Sequence, residues 1–256
     1  MTPEASLTDG ALELTGRIWT ASNATFLGSI EGVSVVYKPI AGEKPLWDFP
    51  DGDLAGREVA AYLVSEALGW NIVPCTWLRD GPMGPGMVQL WQEAAAGPGA
   101  VDLVATAAVP AEGWRSVLSG QDEDGSSVTL VHEDSAALRR MAVFDAVVTN
   151  ADRKGDHPLA MPEGHRHGVD HGLTFPVEHK LRTVLWGWIG EDLTGDELAG
   201  LDRITAALGT ELGESLSALL TAAEIAQLGA RCAHLRADGR FPAPHGDSSA
   251  VPWPLF

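Results

Sequence analysis

The sequence predicts an α+β fold, with antiparallel strands filling the first third and helices dominating the second half. Three observations carry this. Apolar and β-branched runs broken by turn residues occupy the N-terminal part. A 3.6-residue apolar repeat dominates from Asp134 onward. Between them, AAAGPGA at 94–100 combines small residues with Gly-Pro and has no period, which marks a connection between lobes. The expected division is 1–93 and 94–256.

Taken in order, residues 11–40 (ALELTGRIWTASNATFLGSIEGVSVVYKPI) read as antiparallel strands separated by the turns TASNAT and EGV. A helix is expected over 53–69, because Ala60, Leu63, Val64, Ala67 and Leu68 recur at helical spacing and Gly69 suits its C-cap. VPCTWLRDG and GMVQLWQ read as two more strands, and WRSVLSGQDEDGSSVTLVHE as an exposed hairpin around an acidic turn. Asp134 or Ser135 caps a helix that is apolar nearly all round and runs to Asn150, the pattern of a buried helix. After a short strand pair come three helical segments, two opened by the capping boxes Thr194–Glu197 and Thr221–Glu224. The Pro-rich tail from Arg240 reads as irregular and lying over the surface.

Composition narrows the function. With 256 residues, 45% of them hydrophobic, the chain is long enough for a large core. A formal charge of −18 repels nucleic-acid phosphates and anionic lipid, so no nucleic acid and no stable membrane association are expected. Cys75 and Cys232 are far apart and outside any zinc spacing, which fits two buried thiols in a reducing cytoplasm.

Four features could carry chemistry. Lys38 closes a strand, where a lysine is ordinarily a solvated strand end. Glu58 falls on the next helix, away from its strongest apolar stripe, the ordinary place of a surface glutamate. As a pair they gain meaning, since kinases use a strand lysine and a helix glutamate to hold the ATP phosphates. The stretch FDAVVTNADRKGDHPLA drives an apolar helix into Asp152, Arg153, Lys154, Asp156 and His157. Carboxylates just past a helix C-terminus face the negative end of its dipole and need a cation, whether a ligand at the mouth of a core or an ion-pair knot with Arg153 and Lys154. In HGVDHGLTF, Asp170 at a strand end next to a permissive glycine suits Mg²⁺, an ion that takes one or two carboxylates plus phosphate oxygens. His165, His167 and His171 raise a zinc reading, but PEGHRHG looks like an exposed turn.

NADRKGDHPLA followed by VDHGLTFP resembles the catalytic and metal-binding motifs of the phosphatidylinositol 3-/4-kinase superfamily, nearest to the type II 4-kinases. The whole chain resembles a small actinobacterial kinase-like family within it. The resemblance implies a two-lobed atypical protein-kinase-like fold, an antiparallel-sheet lobe over a mainly helical lobe, with ATP and Mg²⁺ or Mn²⁺ in the cleft. It makes Asp152 the catalytic-loop aspartate and Asp170 the metal-binding aspartate. Lys38 would contact the α- and β-phosphates, with Glu58 holding it. Ser22, Asn23 and Thr25 would cover the phosphates, and Gln89, Leu90 and Trp91 would present backbone to adenine.

His157 stands where this superfamily usually has an asparagine as second metal ligand; neutral histidine suits Mn²⁺ better than Mg²⁺, and Asp156 is a substitute. The expected function is an ATP-dependent phosphotransferase acting on a soluble protein or small molecule. The alternatives are a nucleotide-binding pseudokinase, an AMP-transferring relative, and a metal phosphohydrolase built from Asp152, Asp156, His157 and Asp170.

Overall fold

In β-rich segments with a two-residue period, the side chains of one face are chosen for the core and those of the other remain free for a site. The computed structural model, which describes residues 5–19, 21, 23–44, 49, 53–245 and 249–256, follows this rule. Strands β1 (Leu12–Arg17), β2 (Phe26–Ile30), β3 (Val33–Pro39), β4 (Thr76–Gly81) and β5 (Gly84–Leu90) form one antiparallel sheet in the order β1-β2-β3-β5-β4. Along β3, Val35 and Tyr37 join Leu12, Ile30, Trp77 and Val88 in a buried cluster together with Leu7 of the short helix α1 (Ala5–Asp9). Val36 and Lys38 point the other way. Cross-strand register keeps faces together, so Val36 pairs with Gln89 and Lys38 with Met87. The turn between β2 and β3 places Glu31 at φ 49° and Gly32 at φ 80°, the left-handed pair that a two-residue hairpin turn needs.

Helix α2 (Leu54–Leu68) covers the Lys38 face, with Ala55 and Val59 against Met87. Asp53 caps it by accepting from the Gly56 N–H at 2.9 Å, and Gly69 ends it in the left-handed conformation. Nearly all of α2 is buried, because Ala60, Ala61, Val64 and Leu68 pack into the largest core on the side away from the sheet. Glu58 is therefore not the surface residue its helical position suggested: it is 2% exposed.

Past the connection, β6 (Val101–Ala105), β7 (Trp114–Gln121) and β8 (Ser127–Glu133) form a three-stranded antiparallel sheet with β8 in the centre. β6 begins directly after AAAGPGA, in residues to which the sequence reading assigns no element, and β8 corrects the exposed hairpin, since Thr129, Leu130, Val131 and His132 are buried. Helix α3 (Ala136–Val148) is capped by Ser135, whose hydroxyl accepts from the Leu138 N–H. It stops two residues short of Asn150, where Thr149 turns to φ 50°. The strand pair β9 (Pro158–Ala160) and β10 (Arg166–Gly168) follows, then helices α4 (Gly195–Leu208), α5 (Glu211–Ser217) and α6 (Ala222–Asp238). Both expected capping boxes are formed, at Thr194–Glu197 and Thr221–Glu224. The main core joins α2 and α3 to these helices and to Trp186 and Trp188. Cys232 is buried, whereas Cys75 is only half-buried. No described helix is long and apolar enough to cross a membrane.

Candidate active site

Three charged groups from three elements meet where the first sheet faces the segment after β10. Lys38 at the end of β3 donates to Glu58 Oε1 of α2 at 2.6 Å and to Asp170 Oδ1 at 2.8 Å. Glu58 uses its second oxygen to accept from the His171 N–H at 2.9 Å, so one buried carboxylate ties α2 to both the lysine and the residue after Asp170. Burial works against the Lys38 ammonium, but the Asp170 and Glu58 carboxylates outweigh it and raise the amine above its ordinary pKa. The same ammonium, assisted by His157, overrides burial at Asp170 and holds that carboxyl below the usual range. Asp170 is not on a strand: it sits two residues past β10 at φ 60°, which turns its half-exposed carboxylate toward Lys38.

The loop after α3 is held from within. Arg153 is fully buried and its guanidinium grips the fully buried Asp145 through Nε and Nη2 at 2.9 Å. It also donates to the Val169 carbonyl and to His171 Nε2, at 3.1 and 2.7 Å. A buried ion pair survives only when its remaining donors are satisfied, and here they reach across to the segment carrying Asp170. The ion-pair knot expected between Arg153, Lys154 and the carboxylates past the helix forms only in part, as Lys154 with Asp152 at 3.5 Å; Arg153 instead turns inward to Asp145 inside FDAVV, where it positions the loop. Asn150 adds a second brace, donating to Asp145 and accepting from the Asp152 N–H. Burial keeps His171 neutral, with its pKa well below the ordinary value.

Asp152 and His157 project from this loop into different surroundings. Burial raises the Asp152 carboxyl to about 6, against the opposing pull of Lys154, whose Nζ is 3.5 Å away, and with Asp170 adding to the rise. His157 lines the cavity, buried enough that its pKa falls to about 4, with Nε2 3.7 Å from Asp170 Oδ2 and 3.9 Å from Asp156 Oδ1. Between them Gly155 donates to the Leu255 carbonyl at 2.8 Å, and the Phe256 ring fills the space a side chain at 155 would need. The C-terminal tail therefore packs under the loop instead of merely covering surface.

The cavity encloses about 610 Å³ and is lined by Lys38, Glu58, Asp156, His157, Asp170 and mainly apolar groups, a size suited to a small-molecule ligand. Asn23 and Thr25 border it. The Asn23 side chain accepts from the Lys44 N–H, and the Thr25 hydroxyl donates to the Asn23 carbonyl, so these polar groups brace the turn. Ser22 lies outside the described residues. Gln89, Leu90 and Trp91 all line the cavity. Gln89 donates its side-chain amide to Thr76, and the Leu90 and Trp91 N–H groups are taken by Cys75 and Ser34 carbonyls. Asp152 is not part of the cavity wall. Sequence reading also missed Glu43, which borders the cavity and accepts from the Leu54 and Ala55 N–H groups at the start of α2.

His165 and His167 do not form a metal centre, since each hydrogen-bonds a backbone carbonyl, of Asn71 and Ile72. Among the described residues no three acidic, histidine or cysteine side chains are grouped as a metal cage. The Asp170 and Asp156 carboxylates, both opening on the cavity, still fit a hard divalent ion that takes its other ligands from phosphate and water.

Fold and site together define an α+β protein in which an antiparallel sheet presents a lysine to a helix glutamate and a loop aspartate at the wall of one cavity. The chain belongs to the same family as Protein Rv2133c of Mycobacterium tuberculosis, with which it is 48% identical over 265 residues, spanning 98% of this chain and 95% of that protein. No family model matches the chain. Among solved structures, the Helicobacter pylori proinflammatory kinase CtkA aligns with a TM-score of 0.43 and 12% identity over 93% of this chain and 95% of that one, a likeness too slight to decide activity.

Proposed function

We propose that this protein is an ATP-dependent phosphotransferase, an atypical kinase that passes the γ-phosphate of ATP to a hydroxyl of a soluble protein or small molecule. Residues 1–93 would form the nucleotide-binding lobe and 94–256 the catalytic and metal-binding lobe. The carrying observation is that Lys38 ion-pairs at once with Glu58 and Asp170 at the cavity. In kinases the strand lysine, its helix glutamate and the metal-binding aspartate must all be in place before transfer proceeds.

The residues divide the work as follows. Lys38 neutralises charge on the α- and β-phosphates, and Glu58 fixes its amine. Adenine lies against β5 and its continuation, where Gln92 to Ala94 also border the cavity. Asp170 and Asp156 would hold Mg²⁺ or Mn²⁺, which supplies charge neutralisation on the phosphates when bound. Asp152 accepts the proton of the acceptor hydroxyl as that oxygen bonds to the γ-phosphorus and the bond to the β-phosphate oxygen breaks, releasing ADP.

The reading is tested with γ-labelled ATP and Mg²⁺ or Mn²⁺. Label transfer or ATP turnover above that of Asp152→Ala and Asp170→Ala is expected, and rates equal to those controls would end it. His157 in place of an asparagine favours a second reading, a nucleotide-binding regulator that transfers AMP or nothing. Label from α-labelled ATP, or tight binding without transfer, would bring that forward.

A further inference from the structure

We infer that His157 is a hydrogen-bond donor to the phosphates of the bound nucleotide and not a metal ligand; this rests on the nucleotide-binding reading above. The ring is fixed by its own loop. The Lys154 N–H donates to His157 Nδ1 at 3.4 Å, and the His157 N–H donates back to the Lys154 carbonyl at 3.3 Å, closing a turn around the imidazole. A ring nitrogen that accepts from an amide carries no proton, so the proton resides on Nε2. That nitrogen belongs to a residue of the cavity wall, and no described residue accepts from it at hydrogen-bonding distance, since Asp170 Oδ2 and Asp156 Oδ1 lie 3.7 and 3.9 Å away.

Metal-bound histidines show the reverse arrangement, in which the non-ligating nitrogen donates its N–H to a carboxylate or carbonyl. Ligation through Nε2 here would move the proton to Nδ1, where it would meet the Lys154 N–H and leave that amide without its acceptor. Donation from Nε2 disturbs nothing. Lys38 binds one oxygen of Asp170 and His157 Nε2 faces the other, so an oxyanion of a metal-bound phosphate beside that carboxylate would find a donor in each. The substitution of histidine for the expected asparagine therefore exchanges a metal contact for a phosphate contact.

Affinity for ATP measured calorimetrically, once in EDTA and once in Mg²⁺, separates the two roles without relying on turnover. For a donor, His157→Ala weakens binding by about tenfold in both conditions, as expected for one hydrogen bond to a charged group, and leaves the gain conferred by Mg²⁺ unchanged. His157→Gln, which carries an amide N–H of similar reach, restores most of that affinity in both. The inference is overturned if His157→Ala spares binding in EDTA and removes the Mg²⁺ gain, if it changes neither, or if glutamine restores nothing. Wild-type protein that binds no ATP in either condition would instead end the nucleotide reading, and the inference with it.

Discussion

Asp152 is the residue on which opposed demands meet. A general base must be ionised at working pH yet remain basic, and partial burial beside Asp170 leaves this carboxyl at about 6. Phosphotransfer is therefore expected to rise with pH through an inflection near 6 and to flatten above it; a profile flat from pH 5 to 8 would remove Asp152 from the base role. The same shift has a stability sign. The folded pKa lies above the ordinary 3.8, so the folded protein holds an extra proton between those values and loses stability as pH rises from about 4 to 6. Asp152→Asn, which cannot ionise, is expected to melt progressively higher than wild type across that window, with the difference constant above it. In the proposed role, the raised pKa of Asp152 would come at the expense of stability, as is common at functional sites.

At the scale of elements, the site depends on α3 delivering a loop that Arg153 then locks. Asp145→Asn leaves a buried guanidinium without its counter-charge, and a loss of about 3–5 kcal/mol is expected in denaturant unfolding, the usual consequence of breaking one side of a buried pair. A loss under 1 kcal/mol would mean that the pair is not what holds the loop. The sequence made α2, α3, the later helices with their two capping boxes, and the succession of strands, one helix and further strands legible, because those follow from local period and cap chemistry, whereas the short α1 and the sheet order do not. It also brought Lys38 and Glu58 together by spacing. Glu58 was misread as exposed because α2 packs on two sides, which flattens the apolar stripe that periodicity detects. β6 escaped because five residues with an aspartate inside show no strand pattern until β8 pairs with them. A carboxylate within the apolar run of α3 was a visible signal for Asp145. Nothing local announced that His171 would complete its network, since that contact is made only by the folded chain.

For the molecule as a whole, the cavity lies between the first sheet and the segment that follows α3, so its occupant would bind both at once. ATP with Mg²⁺ at about a hundred times its dissociation constant is expected to stabilise the protein by ~2.7 kcal/mol, seen as a raised melting temperature. Lys38→Met should abolish that rise; an equal rise in the variant would show that the nucleotide binds elsewhere.

The tail bears on the chain's history as well as its shape. Gly155 hydrogen-bonds Leu255 and rests on Phe256, while Thr183 and Trp186 donate to Ala250. A ribosome still short of those codons holds a nascent chain whose central loop lacks its floor. The candidate loop would then reach its final form only once residues 250–256 are in place beneath it, and a chain cut before them is expected to leave Gly155 without its floor.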